Sequence, residues 1–90
     1  MGKMNTLSIL MENLRQAAAA YAGAQERYRA AYDTLRDAGV RNPNSSSEVA
    51  TFSDDLMLVY AELLAADDAK VNAFGDKRRA EEALAEAVSA

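Results

Sequence analysis

The sequence contains no cysteine, no histidine and no tryptophan, and these absences exclude several kinds of site. Without cysteine the chain has no disulfide framework and no thiolate chemistry. Without histidine it lacks the most frequent general base and the most frequent transition-metal ligand of proteins. We therefore expect a protein that is not an enzyme and that uses no cofactor and no metal.

Long apolar runs and an excess of positive charge are also missing. No stretch approaches the roughly 18 apolar residues that span a bilayer, and the short run Leu7–Met11 stops at Glu12, too early for the core of a signal peptide. The net charge is −4, and most of the acidic residues lie in the second half. Nucleic-acid-binding proteins show the opposite balance. We therefore expect a cytoplasmic protein without a membrane or nucleic-acid partner.

Helix-breaking residues are few, and two of them lie close together. Gly39 and the single proline, Pro43, bracket a polar segment in the middle of the chain. This predicts one domain, residues 1–90, with helix 1 at about 5–38, a loop at 39–47 and helix 2 at about 48–88. Ser45 and Glu48 have the spacing of a capping box, which favours the early start of helix 2. Thr51 followed by Asp54 is a later alternative.

The first half of the chain carries a heptad repeat. Bulky residues recur every seven positions, at Leu7, Leu14, Tyr21, Tyr28 and Leu35. Three positions after each lies a second repeat, mostly of alanine, at Leu10, Ala17, Ala24, Ala31 and Ala38. Such a pattern is typical of a long helix that packs closely against another helix.

The second half carries a matching repeat. Its two series are Val49, Leu56, Leu63, Lys70, Lys77 and Leu84, then Phe52, Val59, Ala66, Ala73, Ala80 and Ala87. Folding the chain at Pro43 pairs positions whose numbers sum to 87, such as Ala24 with Leu63. A displacement by one heptad would keep the phase but would move the turn away from the loop centre. The predicted fold is all-α: two long antiparallel helices, a helical hairpin that dimerises into a four-helix bundle.

Two lysines interrupt the second repeat. The favoured register places Lys70 opposite Ala17 and Lys77 opposite Leu10. In one interpretation the aliphatic stems cover the seam while the ammonium groups reach water. In another, a polar seam position sets the register or the oligomeric state, or it receives a carboxylate from a partner.

Apolar residues beside the seam exceed what two helices can cover, which indicates a dimer or a docking face. We expect the partner-binding residues to be Met11, Ala18, Tyr28, Tyr32, Tyr60, Lys70 and Phe74. The predicted function is a protein–protein interaction module without enzymatic activity. It would pair with a second copy and bind an unidentified protein, as an assembly adaptor or as a small inhibitor.

Three alternatives remain open at this stage. A carboxylate-based metal-dependent hydrolase would use the acidic pairs Asp54–Asp55, Asp67–Asp68 and Glu81–Glu82, although di-metal four-helix proteins also use histidine. Solvated acidic pairs, or a patch for a basic partner, explain the same residues. Nucleic-acid binding would use the arginines Arg15, Arg29, Arg36 and Arg41.

A helical hairpin of about 90 residues with Asn42, Pro43 and Asn44 in its turn resembles the subunits of type III secretion needles. The turn lacks the Trp-x-Gly signature of the similarly sized WXG-type proteins. The resemblance implies a structural subunit of a secretion apparatus, and a secretion-apparatus, phage structural or chaperone-like subunit is therefore an alternative function. This resemblance lies at the level of the fold alone.

Overall fold

The computed structural model describes residues 2–89, with side chains from Asn5 onward, and the ends of the expected domain, Met1 and Ala90, lie outside this range. The elements are α1 (Gly2–Asp37), the single-turn helix α2 (Ser46–Val49) and α3 (Asp54–Ser89). Helices α1 and α3 pack against each other over their length in a rod with Cα extents of 59 × 16 × 16 Å. The all-α antiparallel hairpin is therefore confirmed. Neither long helix within residues 2–89 is apolar enough to cross a lipid bilayer.

Helix α1 ends where the sequence predicts, in a Schellman motif. Gly39 has φ +93°, in the left-handed region that favours glycine. Its N–H donates to the Arg36 carbonyl, and the Val40 N–H donates to the Leu35 carbonyl, both at 3.0 Å. These are the two hydrogen bonds of the motif. Val40 and Leu35 are both buried, so the chain turns back with an apolar contact at its base.

The segment between the long helices is organised by Glu48. Its carboxylate oxygens accept the backbone N–H groups of Arg41 and Asn42, each at 2.9 Å. The Ser45 hydroxyl accepts the Glu48 N–H at the start of α2. The capping-box spacing is therefore used at its N-cap, while the glutamate side chain reaches back to the preceding turn. Glu48 ties the end of the α1 turn to α2.

The second long helix begins at Asp54, six residues later than the predicted start at about 48. The chain leaves the helical path after α2 because Thr51 and Phe52 donate to the carbonyls of Glu48 and Val49 in tight turns. The Thr51 hydroxyl also bonds the Glu48 carbonyl, at 2.6 Å. Ser53 then caps α3, since its hydroxyl accepts the Leu56 N–H at 3.3 Å. The early candidate start, Ser45, caps the single-turn helix α2. The later candidate start lies close to the beginning of α3, where Ser53 rather than Thr51 is the cap.

We expect Glu48→Ala to destabilise the protein by about 1.5 kcal/mol, because two backbone donors lose a charged acceptor. Glu48→Gln should cost less, since the amide keeps one acceptor oxygen. Urea unfolding followed by circular dichroism at 222 nm measures both. Glu86→Ala removes an exposed glutamate of α3 and is the matched control. Equal midpoints for Glu48→Ala and Glu86→Ala would contradict the role of Glu48.

The predicted seams form the interface between α1 and α3. Every seam residue of the described chain except Ala38 is buried or half-buried. The core lies at the loop end, where Ala31, Leu35, Val40 and Leu63 form one buried cluster. Partly buried side chains pack around it: Tyr28, Tyr32, Phe52, Leu56, Val59 and Tyr60.

The predicted register is wrong by about one heptad. Leu63 lies in the cluster of Ala31 and Leu35, whereas a sum of 87 would place it opposite Ala24. The numbers of Ala31 and Leu63 sum to 94, which is 87 plus one heptad. The cause is the loop: α2 and the turn after it occupy the residues that were expected to open helix 2. Residues of α3 with higher numbers therefore face a given level of α1.

Candidate interaction surface

Helix α3 carries a row of exposed apolar side chains that the hairpin does not cover. Met57, Leu64 and Val71 follow one another at intervals of seven and are 43%, 47% and 62% exposed, and Phe74 continues the row at 45%. We call these four residues the exposed stripe. Positions separated by seven lie on one face of a helix, about 10 Å apart along its axis. The stripe is thus a row of apolar side chains beside the seam, with Asp67 and Asp68 on the turn between Leu64 and Val71.

Three of the predicted partner-binding residues are tyrosines that pack within the hairpin. Tyr28 and Tyr32 stack with ring centroids 6.2 Å apart, and Tyr60 meets Phe52 edge to face at 5.8 Å. All three rings are half-buried against the core cluster. Aromatic pairs of this geometry stabilise the fold that contains them. Only the outer edges of these rings remain for a partner.

Phe74 lies at the surface, as a partner-binding residue would. Its ring is tilted against Tyr21 with centroids 5.6 Å apart. Tyr21, Phe74 and Val71, together with the stem of Lys70, line one shallow apolar depression between the helices. Since Tyr21 belongs to α1, this depression extends the stripe across the seam.

The other predicted residues of α1 lie further from the loop. Met11 is exposed and borders a polar hollow with Glu12 and Arg15, and Ala18 is half-buried beside the seam. Met11 and Ala18 lie on the same side of α1 as Tyr32 because positions 11, 18, 25 and 32 repeat at seven.

Lys70 and Lys77 reach across the interface to aromatic rings. The Lys70 ammonium lies 4.4 Å from the centroid of Tyr28. The Lys77 ammonium lies 5.9 Å from the centroid of Tyr21. These distances are those of cation–π contacts. The predicted neighbours Ala17 and Leu10 are wrong, because the register is displaced.

These lysines also have acidic neighbours on their own helix. Asp67 and Glu81 lie 3.9 Å from the ammonium groups of Lys70 and Lys77 respectively. The side chains of both lysines are about one-third exposed. Their stems therefore cover the seam while the charged ends stay near water, as the first interpretation states.

The opposite side of the hairpin carries an ion pair that joins the two long helices. Arg27 of α1 donates from Nε to the Glu62 carboxylate of α3 at 2.9 Å, and its Nη2 lies 2.7 Å from the same oxygen. Ala30, Thr34 and Leu58 line a shallow groove beside this pair. Leu58 is 71% exposed, and the position one heptad later holds only the small side chain of Ala65. The two sides of the rod are therefore distinct.

Exposed charges flank the stripe side of both helices. Arg15 and Arg29 of α1 are exposed and form ion pairs along their own helix with Glu12 and Glu26. A side-chain hydrogen bond from Arg15 lowers the pKa of the Glu12 carboxyl below its usual value. That carboxylate therefore favours the helix at neutral pH, and its contribution is lost as the pH falls through the lowered pKa.

The acidic pairs of α3 lie along its surface rather than around a common point. Asp54, Asp55, Asp68 and Glu82 are exposed, and Asp67 is half-buried beside Lys70. Within the described residues no three acidic side chains are placed to hold a metal ion together. The arrangement offers a graded negative surface, and the metal-dependent alternative gains no geometric support.

Sequence reasoning overlooked three of the four stripe residues. The sequence analysis chose Tyr60 and Phe74, which lie four residues after a position of the first seam series and directly after a position of the second. It did not select Met57, Leu64 and Val71, which follow the seam positions Leu56, Leu63 and Lys70 directly. The signal was present as a third heptad series in α3.

A comparison of the chain with protein-family models, with curated proteins and with solved structures finds no match.

Proposed function

We propose that this chain is a non-enzymatic protein–protein interaction module that acts as a homodimer through the stripe side of the hairpin. The observation that carries the proposal is the exposed stripe, Met57, Leu64, Val71 and Phe74. Large apolar side chains exposed along one side of a small protein mark a surface that binds other macromolecules. The aromatic edges of Tyr32 and Tyr60 border the same side and suit an interface.

The size of the rod supports a dimer. One long side measures 59 × 16 Å between Cα atoms, about 900 Å² in projection. Stable protein interfaces bury about 800 Å² on each partner. A hairpin of two helices is also a small fold whose seam is largely alanine, so its own core contributes little stability. Pairing two stripe sides would add a second core between the hairpins.

The dimer would act as an assembly adaptor or as a small inhibitor that covers a protein target, in the cytoplasm. In either role the protein presents surfaces rather than reactive groups. The sequence supplies no histidine or cysteine, and the described carboxylates do not converge. The opposite side, with Arg27, Glu62 and Leu58, stays accessible in such a dimer.

The dimer is tested by sedimentation velocity across a micromolar concentration series. The wild-type protein should sediment as a dimer that dissociates on dilution, and its melting temperature should rise with concentration. Leu64→Asp combined with Val71→Asp should weaken the dimer by about 100-fold or more, because two carboxylates would be desolvated at each stripe.

Leu58→Asp is the matched control, since it introduces the same group at an exposed leucine of the same helix. Leu58 and Leu64 are six residues apart, about 120° around the helix axis. The control should dimerise like the wild type. A wild-type protein that stays monomeric at every concentration would contradict the dimer, and equal weakening by both variants would contradict the assignment of the interface.

A further inference from the structure

We propose that the second copy docks with its α3 on α1 of the first, around a two-fold axis parallel to the rod. This inference rests on the proposed homodimer and specifies how its helices are arranged. In such a four-helix bundle each α1 has two α3 neighbours, one from its own chain and one from the partner, and the two α1 helices lie diagonally. The competing arrangement places α1 beside α1 and α3 beside α3.

The charges of the two helices differ in a way that selects between these arrangements. Helix α1 has five basic and four acidic residues, a net charge of +1. Helix α3 has four basic and nine acidic residues, a net charge of −5. Two α3 helices side by side would bring like charges together, which disfavours association. A contact between α1 and the partner's α3 avoids this repulsion.

The spacing of individual charges matches the same arrangement. Arg15 and Arg29 lie fourteen residues apart on α1, and Asp68 and Glu82 lie fourteen residues apart on α3. When two such helices lie antiparallel, the position that brings Arg15 level with Glu82 also brings Arg29 level with Asp68. All four side chains are exposed. One docking position therefore aligns both pairs. Arg15, Arg29 and Glu82 also form ion pairs along their own helices, with Glu12, Glu26 and Arg78.

That docking position agrees with the register of the hairpin itself. Rotation about an axis parallel to the rod keeps every residue at its own height, so α1 meets the partner's α3 in the register of its own α3. The residue numbers of each aligned charged pair sum to 97, and those of Ala31 and Leu63 sum to 94. Three residues of a helix correspond to about 4.5 Å, which an arginine side chain spans. No sliding of one copy along the other is required.

The arrangement is tested by reversing the charges in two steps. Arg15→Glu with Arg29→Glu should weaken the dimer roughly tenfold in sedimentation, because four exposed pairs per dimer become repulsive. Adding Asp68→Lys and Glu82→Lys to the same chain should restore the affinity to within about threefold of the wild type, because α1 again faces an oppositely charged α3. Arg79→Glu, an exposed charge reversal on α3 away from the stripe, should leave dimerisation unchanged.

The outcomes separate this inference from the proposed function. If the wild-type protein is monomeric, the proposed homodimer is wrong. If it is dimeric and the variant with all four substitutions dimerises no better than Arg15→Glu with Arg29→Glu alone, the dimer stands and the arrangement is wrong. In the competing arrangement like charges already meet in both contacts of the wild-type dimer, so neither Arg15→Glu with Arg29→Glu nor the further lysine substitutions would change the affinity strongly.

Discussion

Leu35→Ala should destabilise the protein by about 3 kcal/mol, the largest loss expected from one truncation in this chain. Leu35 is 1% exposed and is the largest fully buried side chain of the described residues. It lies at the base of the turn, where its carbonyl accepts the Val40 N–H. Its side chain therefore supports both the core cluster and the reversal of the chain. Truncation leaves a cavity that the rigid Schellman turn cannot fill by moving.

Urea unfolding at a single fixed protein concentration measures this loss, because association would otherwise change the apparent stability. Leu58→Ala is the matched control, since the same groups are removed from a leucine that is 71% exposed. We expect it to change the free energy of unfolding by less than about 0.5 kcal/mol. A Leu35→Ala midpoint close to that of the control would show that the loop-end cluster is not the core.

Ala66→Leu should destabilise the protein by about 2 to 3 kcal/mol through overpacking. Ala66 is 0% exposed and lies on the face of α3 that packs against α1. The added isobutyl group would have to separate the helices or displace neighbouring side chains. Close approach of the helices depends on small residues at Ala24, Ala31 and Ala73 as well, all of which are buried.

Ala65→Leu supplies the comparison, because Ala65 is the exposed neighbour of Ala66 on the same turn. Both changes leave helix propensity nearly unaltered, so the difference between them reports packing. Thermal unfolding of the two variants at equal concentration gives that difference. If Ala66→Leu melts at or above the temperature of Ala65→Leu, the two helices do not approach as closely as the structure shows.

The function proposed here follows from what the hairpin leaves uncovered. The core cluster uses the tyrosines near the loop, so Tyr28, Tyr32 and Tyr60 contribute mainly to the fold. The exposed stripe on α3, with Phe74 as its aromatic residue, is the longest row among the apolar side chains that remain exposed, which also include Ile9, Met11, Leu58 and Val88. Of the seven residues expected to bind a partner, Phe74 and Met11 are the exposed ones. Whether they contact a second copy is the subject of the sedimentation experiments.

The local features of the fold were predictable from the sequence because each depends on neighbouring residues. Gly39 followed by Val40 identifies a Schellman end, and the structure shows that end with both of its hydrogen bonds. The heptad series identify which face of each long helix is covered, since a period of seven keeps residues on one side. A third series in α3, Met57, Leu64 and Val71, was equally available to this reasoning.

By itself the sequence determined two long helices, their inward faces and the position of the chain reversal. Only the tertiary structure decided the register, because a heptad repeat looks the same after a displacement by seven residues. The selection came from the loop: α2 and the turn at Thr51 and Phe52 delay α3 to Asp54. That displacement brings Lys70 to Tyr28 and Lys77 to Tyr21. Contacts between residues about 40 to 60 positions apart depend on the path of the whole chain, and no local pattern specifies that path.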